Sequence, residues 1–500
     1  MSETPAAGSP MGSARGAHVA ADTGLQAAAL RLPGVLMQSI TTVAPAIGMF
    51  FTIQFIASYA GIVAPLGYLL AFLIVLMLAA SVSQLAKHLP NAGGYYTYIS
   101  HTLHPRLGWI SGWIMFLYMP VAPFTSPVFL SFLLRDELKA SNLGWDIPWW
   151  LIFILLEGMV VLFMYRGIQI SAQALLIFGL AEIVIVGALG LWGFFDTGPG
   201  GFNFSSYNPG NTTSHNLFFA VVFSVFALTG WEAAAPIAEE AEDPKRTVPR
   251  ALIYSVVIMG AFFAICSWGL ILGWGTADVN NLVGSSELIP FTLAKQYWGP
   301  LWWLAMFALI NSAVAVSIAT MNASTRMWFA MSRSGSLPSA LQRLHPTHRT
   351  PVNAIMLQAV ITFGFGIVLG WKWGGATLFF ISGLLFTLCA SRIYIFGNVG
   401  VLRYYLTERR SDLNPLLHIV FPVVSSVILV YICIQTFTNP TPTGRLAYAL
   451  PIFLVWLAAG ALVLVAMRMR GREDWLLRAT QAVHERPETP EELAHHGGLV

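Results

Sequence analysis

The chain has 500 residues, of which 56% are hydrophobic and only 10% are charged, and its formal net charge is +3. Soluble domains carry charge on roughly a quarter of their residues. This composition therefore excludes an ordinary water-soluble protein. Repeated apolar stretches exceed the roughly 20 residues that a helix needs to cross a bilayer. The sequence predicts an all-α polytopic membrane protein surrounded by lipid.

Two polar tails flank a long membrane domain. Residues 1–30 are rich in Ala, Gly and Ser and lack the apolar core of a signal peptide, so we expect a disordered cytoplasmic tail. The membrane domain covers 31–470, and a second cytoplasmic tail covers 471–500. Twelve helices are predicted at about 36–59, 64–86, 108–134, 148–165, 170–194, 216–238, 250–274, 301–323, 354–373, 376–400, 415–436 and 447–467.

Positive residues concentrate in the loops on one side of these predicted helices. Because Lys and Arg bias a loop toward the cytoplasm, their distribution predicts a cell-membrane protein with both termini inside. The loops assigned to the inner side include Lys87, Arg106, Arg166, Lys245, Arg246, Arg250, Arg326, Arg333, Arg343, Arg349, Arg403, Arg409 and Arg410.

Helix breakers interrupt two of the predicted helices near the midplane. Pro45 and Gly48 lie inside helix 1, and Gly230 lies inside helix 6 at a comparable depth. Backbone freed at that depth must be buried in protein or line a cavity. If 31–195 and 215–403 are inverted repeats, with extra helices at 415–467, the breaks occupy matching positions and indicate a transport site. Ordinary kinks are the alternative.

The direction of each broken helix predicts the chemistry of this site. Helix 1 runs outward, so the amides near Ile47 and Gly48 form the positive end of its outer half and suit a carboxylate. Helix 6 runs inward, so the carbonyls from Phe223 to Ala227 end its outer half and suit an ammonium group. An amino acid zwitterion matches both ends.

Three motifs resemble those of the amino acid/polyamine/organocation (APC) superfamily. They are FALTGWEAA at 226–234 with EEAEDPKRTVPRA at 239–251, PNAGGYYTY at 90–98 ahead of Trp109 and Trp113, and RMWFAMSRSGSLP at 326–338. The resemblance implies the leucine-transporter-type fold, with five plus five helices and two extra, and alternating access to a central site. Where many members show Gly-x-Gly, this chain has Ala46-Ile47-Gly48.

The resemblance also implies which residues bind the solute. The first broken helix would hold its carboxylate, the second would hold its amine, and Phe226 would form an aromatic gate over it. The substrate-binding candidates are Pro45, Ala46, Ile47, Gly48, Phe223, Phe226, Ala227, Thr229 and Gly230.

Three carboxylates fall within predicted membrane helices, where an ionisable group is costly. Glu182 and Glu232 are coupling candidates, because a buried carboxyl group can load and release a proton. Helix capping is the alternative for Glu232, and a structural hydrogen bond is the alternative for Glu157 and Glu182. Sodium coupling would need hydroxyl ligands such as Ser312, Ser317 and Thr320, so the sequence favours proton coupling or exchange.

A charged segment follows helix 6. Its acidic residues Glu239, Glu240, Glu242 and Asp243 precede Lys245, Arg246 and Arg250. The simplest interpretation is a solvated loop. The alternative is an inner gate in which these carboxylates pair with Arg326 or Arg333.

These observations predict a permease for amino acids, and for neutral zwitterionic ones first, working as a proton-coupled symporter or exchanger. A transporter of a cationic amine such as ethanolamine or a polyamine is the alternative, as is a substrate-sensing receptor on the same fold. No catalytic motif, metal site, cofactor site or nucleic-acid-binding pattern is found in the sequence. We therefore expect neither an enzyme nor a cofactor.

Overall fold

The computed structural model describes residues 24–140, 144–277, 288–438, 447–471 and Trp475. Within those residues the chain is helical almost throughout, and 12 helices are long and apolar enough to cross a membrane. The predicted all-helical class is confirmed. The predicted tails fall mostly outside the described residues.

The membrane helices are labelled α1 to α12, and broken helices are divided into halves. They are α1a Leu32–Val43 and α1b, formed by Pro45–Phe50 with Thr52–Ala60; α2 Ala64–His88; α3 Pro105–Tyr118 with Ala122–Ala140; α4 Trp149–Arg166; α5 Ile168–Phe195; α6a Ser214–Ala227 and α6b Trp231–Glu240; α7 Pro244–Trp274; α8 Trp303–Arg333; α9 Val352–Trp373; α10 Gly375–Thr407; α11 Phe421–Thr438, after a π-helical turn Leu416–Val420; and α12 Ala449–Met469. Short helices Tyr95–Thr102 and Ile289–Trp298 lie between them.

Several helices are longer than hydropathy predicts. The predicted end of α8 at 323 is wrong, because the helix continues to Arg333. Arg326, assigned from the sequence to a loop, is a fully buried residue of this helix. The helix continues because polar side chains such as Asn322 and Arg326 face protein partners and not lipid. Hydropathy detects only the lipid-facing part of such a helix.

Helix packing follows a repeated pattern that relates α1–α5 to α6–α10. Helix α1 packs against α5 as α6 packs against α10, and α8 packs against α5 as α3 packs against α10. The pair α2 and α7 forms the most extensive contact. The two remaining helices lie outside this arrangement, α11 against α2 and α10, and α12 against α3 and α10. This is the five-plus-five arrangement with two additional helices.

The break in α1 lies at Ala44 and not at Gly48. Ala44 adopts φ 57° and ψ 79°, a left-handed conformation that is rare for alanine. Pro45 disfavours right-handed helix at the residue before it, so the chain turns there. Gly48 lies inside α1b, where a Cβ atom would stand 2.6 Å from the Phe263 ring. The predicted break is therefore correct in place, but the glycine serves close packing.

The break in α6 lies where the sequence predicts it. Helix α6a ends at Ala227, Gly230 has φ 107°, and the chain resumes at Trp231. The second half, α6b, is a 3₁₀-helix and not an α-helix. A Cβ atom at Gly230 would stand 3.0 Å from the Thr42 carbonyl oxygen, so α6 crosses close to α1 at its break.

The described residues contain an even number of candidate membrane helices, 12, which would bring both described ends of the chain to the same side of a membrane. We call this side the terminal face. There Leu30 pairs with the chain after α6b: its amide donates to the Glu240 carbonyl (3.0 Å), and its carbonyl accepts from the Glu242 amide (2.7 Å). Leu25 is buried in a cluster with Ala92 and Phe329. The segment before α1 thus joins the base of α6.

Candidate functional site

A cavity lies between the two broken helices, at the centre of the molecule. Its volume is about 80 Å³, roughly half that of a 150 Å³ cavity able to hold benzene. Its walls come from the breaks of α1 and α6, from the middle of α3, and from α8 and α10. The lining residues are Thr42, Val43, Ala44, Ile47, Gly48, Thr52, Tyr118, Met119, Ala122, Thr125, Ser126, Phe226, Ala227, Thr229, Gly230, Glu232, Ala233, Val316, Thr320, Ala323, Phe379, Ser382 and Phe386.

The structure brings most of the predicted substrate-binding residues to this cavity. Six of the predicted positions line it: Ile47, Gly48, Phe226, Ala227, Thr229 and Gly230. Pro45 and Ala46 lie behind the lining, although both are buried. Phe223 contacts an aromatic cluster described below. Their roles in binding a solute stay predictions.

Glu232 carries a carboxylate into the cavity and is held there by three donors. The Tyr118 hydroxyl donates to its Oε1 atom at 2.9 Å, and the Tyr394 hydroxyl donates to its Oε2 atom at 2.9 Å. The Gly230 amide also donates to Oε2, at 3.1 Å. The carboxylate is 2% exposed and lines the cavity. It therefore caps the start of α6b and also faces the solute space.

The tyrosines that hold Glu232 were missed by the sequence analysis. Tyr118 is the last residue before a break in α3, and Tyr394 lies in the middle of α10. Pro120 gave a signal for the first, because proline interrupts a helix. Nothing in the sequence distinguishes Tyr394 from other aromatic residues of membrane helices, because its partner is 162 residues away.

Glu182 lies on the other side of the α1 break from Glu232. Its Oε2 atom accepts from the Ala46 amide at 3.2 Å, and its Oε1 atom lies 3.4 Å from the Asn311 side-chain nitrogen. The Ile47 amide donates to the Ser312 hydroxyl at 3.3 Å. Glu182 is fully buried and does not line the cavity. The amides predicted for a solute carboxylate thus have partners within the protein.

The carbonyls at the end of α6a also have internal partners. Those of Ser224 and Val225 accept from the Leu228 amide, and that of Phe226 accepts from the Thr229 amide at 3.0 Å. The Thr229 hydroxyl donates to the Val225 carbonyl as well. The Ser224 and Phe226 oxygens each keep one further lone pair, whereas the Val225 oxygen accepts two hydrogen bonds. An ionised Glu232 is nevertheless the stronger acceptor for an ammonium group.

The hydroxyls proposed for sodium do not converge. The Ser312 hydroxyl accepts from α1b, whereas the Ser317 hydroxyl donates to the Pro123 carbonyl (3.2 Å) and to Glu157 (3.0 Å). Thr320 bonds the carbonyls of its own helix. Glu157 is fully buried behind α3 and α8. Among the described residues, no group of three or more His, Cys, Asp or Glu side chains is placed to hold a metal.

Two ion pairs link α6b to α8 at the terminal face. Arg326 binds Glu240 through two nitrogens, at 2.9 and 3.3 Å, and both side chains are 1% exposed. Arg333 binds Glu239 at 2.6 and 3.0 Å, and Glu239 also accepts from the Ala92 amide. Interpreting this segment as a solvated loop is therefore wrong for Glu239 and Glu240. We call these two pairs the ion-pair layer.

Stacked aromatic rings lie between α1b, α6a and α10, on the opposite side of the cavity. Phe55 contacts Phe223 edge to face at 4.3 Å and stacks on Phe380 at 4.7 Å. Tyr59 stacks on Phe219 at 5.4 Å. We call these five residues the aromatic layer. Phe226 lies nearer the cavity and contacts the Phe379 ring.

A cavity at two helix breaks, with a layer of contacts on either side, is the arrangement that a transporter of the broken-helix class requires. The sequence model of the family described as "Amino acid permease" matches residues 34–475. The chain belongs to this family, which confirms the resemblance to the APC superfamily. The family and its members are transporters, so the chain is a transporter and not an enzyme.

Named relatives carry different solutes. The chain is 24% identical over 400 residues to the low-affinity putrescine importer PlaP of Escherichia coli, covering 76% of this chain and 82% of PlaP. It is 27% identical over 320 residues to the lysine-specific permease LysP of the same species, covering 59% and 62%. It is 26% identical to the branched-chain amino acid permease BcaP of Bacillus subtilis, covering 57% and 63%.

Proposed function

We propose that this protein carries a small solute with an ammonium group across the membrane, and that the ammonium binds at the Glu232 carboxylate. The observation that carries the proposal is the position of Glu232 in the cavity wall, held by Tyr118, Tyr394 and the Gly230 amide. A carboxylate so enclosed needs a positive partner or a proton, because an uncompensated charge at membrane depth is costly.

The rest of the cavity lining also favours a solute that brings a cationic group to Glu232. Among the described residues, no Lys, Arg or His side chain lines the cavity, so the protein supplies no cation of its own there. The remaining walls are apolar or carry hydroxyls, such as those of Thr125 and Ser126. An amino acid and a simple amine both bring the ammonium group. Relatives named for putrescine, lysine and branched-chain amino acids agree with this solute class.

The coupling ion in this proposal is a proton that alternates with the solute on Glu232. When the cavity is empty, the carboxyl group is protonated and the buried charge is removed. When the ammonium binds, the proton leaves, because the ammonium supplies the counter-charge. The transporter then exchanges one proton for one solute. The alternative carrier of the proton, Glu182, does not line the cavity.

The terminal face is the cytoplasmic face in this proposal, and the membrane is the cell membrane. Arg343, Arg349, Arg403 and Arg410 lie near that face or in its loops, as the positive-inside tendency requires.

Uptake by purified protein in liposomes tests the proposal. A panel of labelled amino acids and amines is offered without sodium, with the lumen more acidic than the outside. We expect saturable accumulation that collapses when the pH gradient is dissipated. Protein-free liposomes correct for passive accumulation of weak bases.

Two variants make this test specific. Glu232→Gln removes the charge but keeps the size of the side chain, so we expect uptake to fall at least tenfold. Glu157→Gln is the matched control, because it removes another buried membrane carboxyl group that does not line the cavity. Equal uptake by the Glu232→Gln variant and the wild type would show that Glu232 only caps α6b.

A further inference from the structure

The first amides of α1b have no capacity left for a ligand. Pro45 has no amide hydrogen, the Ala46 amide donates to Glu182, and the Ile47 amide donates to Ser312. The Gly48 amide donates to the Ala44 carbonyl at 2.7 Å, as the first intrahelical bond. The positive end of α1b therefore already has its hydrogen-bond acceptors, and they belong to the protein.

Glu182 is fixed in this position from both sides. It projects from α5, and Asn311 of α8 lies against its second oxygen. Asn311 is itself anchored by a 2.6 Å hydrogen bond from its side chain to the Phe178 carbonyl, one turn before Glu182 in α5. Glu182, Ser312 and Ala46 are all completely buried. A solute carboxylate would have to displace a carboxylate that is held in place.

Binding of a solute carboxylate elsewhere in the cavity is also disfavoured. Glu232 contributes negative charge to the lining on the α6 side, and Glu182 lies behind the α1 side. Among the described lining residues no basic side chain compensates for a second anion. The cavity of about 80 Å³ leaves little room to separate a solute carboxylate from Glu232. Like charges at short range in a low dielectric repel strongly.

We propose that Glu182 occupies the place of the solute carboxylate, and that the protein selects amines lacking an α-carboxylate over the corresponding amino acids. The proposal rests on the proposed function, because it assumes that the ammonium binds at Glu232. It narrows the solute from any ammonium compound to small primary amines and diamines. Glu182 acts as a specificity-determining residue that does not touch the solute.

Competition between matched pairs tests this selectivity in the wild-type protein. Uptake of the labelled solute that the panel identifies is measured in the presence of unlabelled competitors. The competitors are used in pairs: ethanolamine and serine, putrescine and ornithine, and cadaverine and lysine. Each pair differs by one carboxylate. We expect the amine to inhibit at a concentration at least tenfold lower than its amino acid. Serine amide, which keeps the bulk but not the charge, should compete better than serine.

Glu182→Gln tests the cause of the preference. The variant removes the carboxyl group and keeps an oxygen for the Ala46 amide. We therefore expect the ratio between the inhibitory concentrations of an amino acid and its amine to fall at least threefold. The Glu157→Gln control should leave the ratio unchanged. If Glu182→Gln does not fold, the wild-type ratios and the serine amide comparison still decide the proposal.

The outcomes separate this inference from the proposed function. If amino acids compete as well as their amines, while Glu232→Gln still abolishes uptake, the inference is overturned and the ammonium site stands. The same holds if serine amide competes no better than serine. If Glu232→Gln leaves uptake intact, the ammonium site itself fails.

Discussion

The ion-pair layer and the aromatic layer lie on opposite sides of the same cavity and are held together by different physical means. Arg326 and Arg333 hold α6b to α8 by directional, charge-assisted bonds, whereas Phe55 contacts α6a and α10 by ring packing alone. An ion pair fixes one geometry, and each charged side chain in it needs its partner. Stacked rings tolerate sliding and lose contact gradually. The difference predicts a sharply defined closed state at the terminal face and a softer closure opposite.

The largest effect is expected from removing Arg326. Arg326→Ala leaves Glu240 buried without its partner, which costs about 3–5 kcal/mol of folding stability. Thermal unfolding of the purified protein in detergent measures the loss. A double variant, Arg326→Leu with Glu240→Leu, should recover most of the stability because no lone charge remains. A single variant as stable as the wild type would show that the pair is not buried in solution.

Phe55→Ala should cost less stability than Arg326→Ala. It should instead open the side of the cavity opposite the terminal face. Phe55 is only half-buried, so we expect a loss of roughly 2 kcal/mol, below the usual range for a fully buried Phe. A cysteine introduced at Thr229, in a background where Cys266, Cys389 and Cys433 are replaced by alanine, should react faster with a membrane-impermeant thiol reagent added to the face opposite the termini. Phe55→Leu is the control and should change this rate little. An unchanged rate in Phe55→Ala would mean that the ring does not restrict access.

A smaller effect is expected for the second ion pair. Arg333 is 28% exposed but Glu239 only 4%. Solvent therefore screens the pair in part, and Arg333→Ala, which leaves Glu239 with the Ala92 amide, should cost roughly 1–2 kcal/mol. The stability contribution of this pair should decline between low and high salt. The contribution of the Arg326 pair should stay nearly constant, because buried pairs are screened less. Equal salt dependence of the two variants would contradict the difference in burial.

The smallest effect is expected at the break of α1. Ala44 holds a left-handed conformation that costs an alanine about 1–2 kcal/mol, and glycine adopts it without strain. Ala44→Gly gains this energy but adds freedom to the unfolded chain. We therefore expect the melting temperature to rise by only a few degrees at most. Ala46→Gly is the control within α1b and should lower it.

The sequence predicted the two breaks because proline and glycine act locally. Pro45 and Gly230 impose backbone constraints whatever surrounds them, so twelve helices and the position of the cavity followed from pattern alone. The role of Gly48 was misjudged for the same reason. A glycine's freedom is visible in the sequence, but the Phe263 ring that requires a missing Cβ is not.

The partners of the buried carboxylates could not be predicted. Glu182 meets Ala46 across 136 positions of sequence, and Glu232 meets Tyr394 across 162. Hydropathy shows that burying such residues costs free energy, but it does not show which groups form hydrogen bonds with them. The predicted end of α8 was wrong for a similar reason. An arginine such as Arg326 indicates the end of a membrane helix unless its carboxylate partner is known.

Glu240 joins three parts of the molecule at one residue. Its side chain binds α8 through Arg326, while its carbonyl binds the amide of Leu30 directly before α1a. The second link is made by backbone atoms, so most side-chain substitutions leave it intact. When the side-chain link breaks, α1a and α6b are still tied to each other through Leu30. The Arg333–Glu239 pair and the hydrogen bond from Gln38 to the Ala319 carbonyl still connect them to α8. Separating α8 from these two helices therefore requires several contacts to break together.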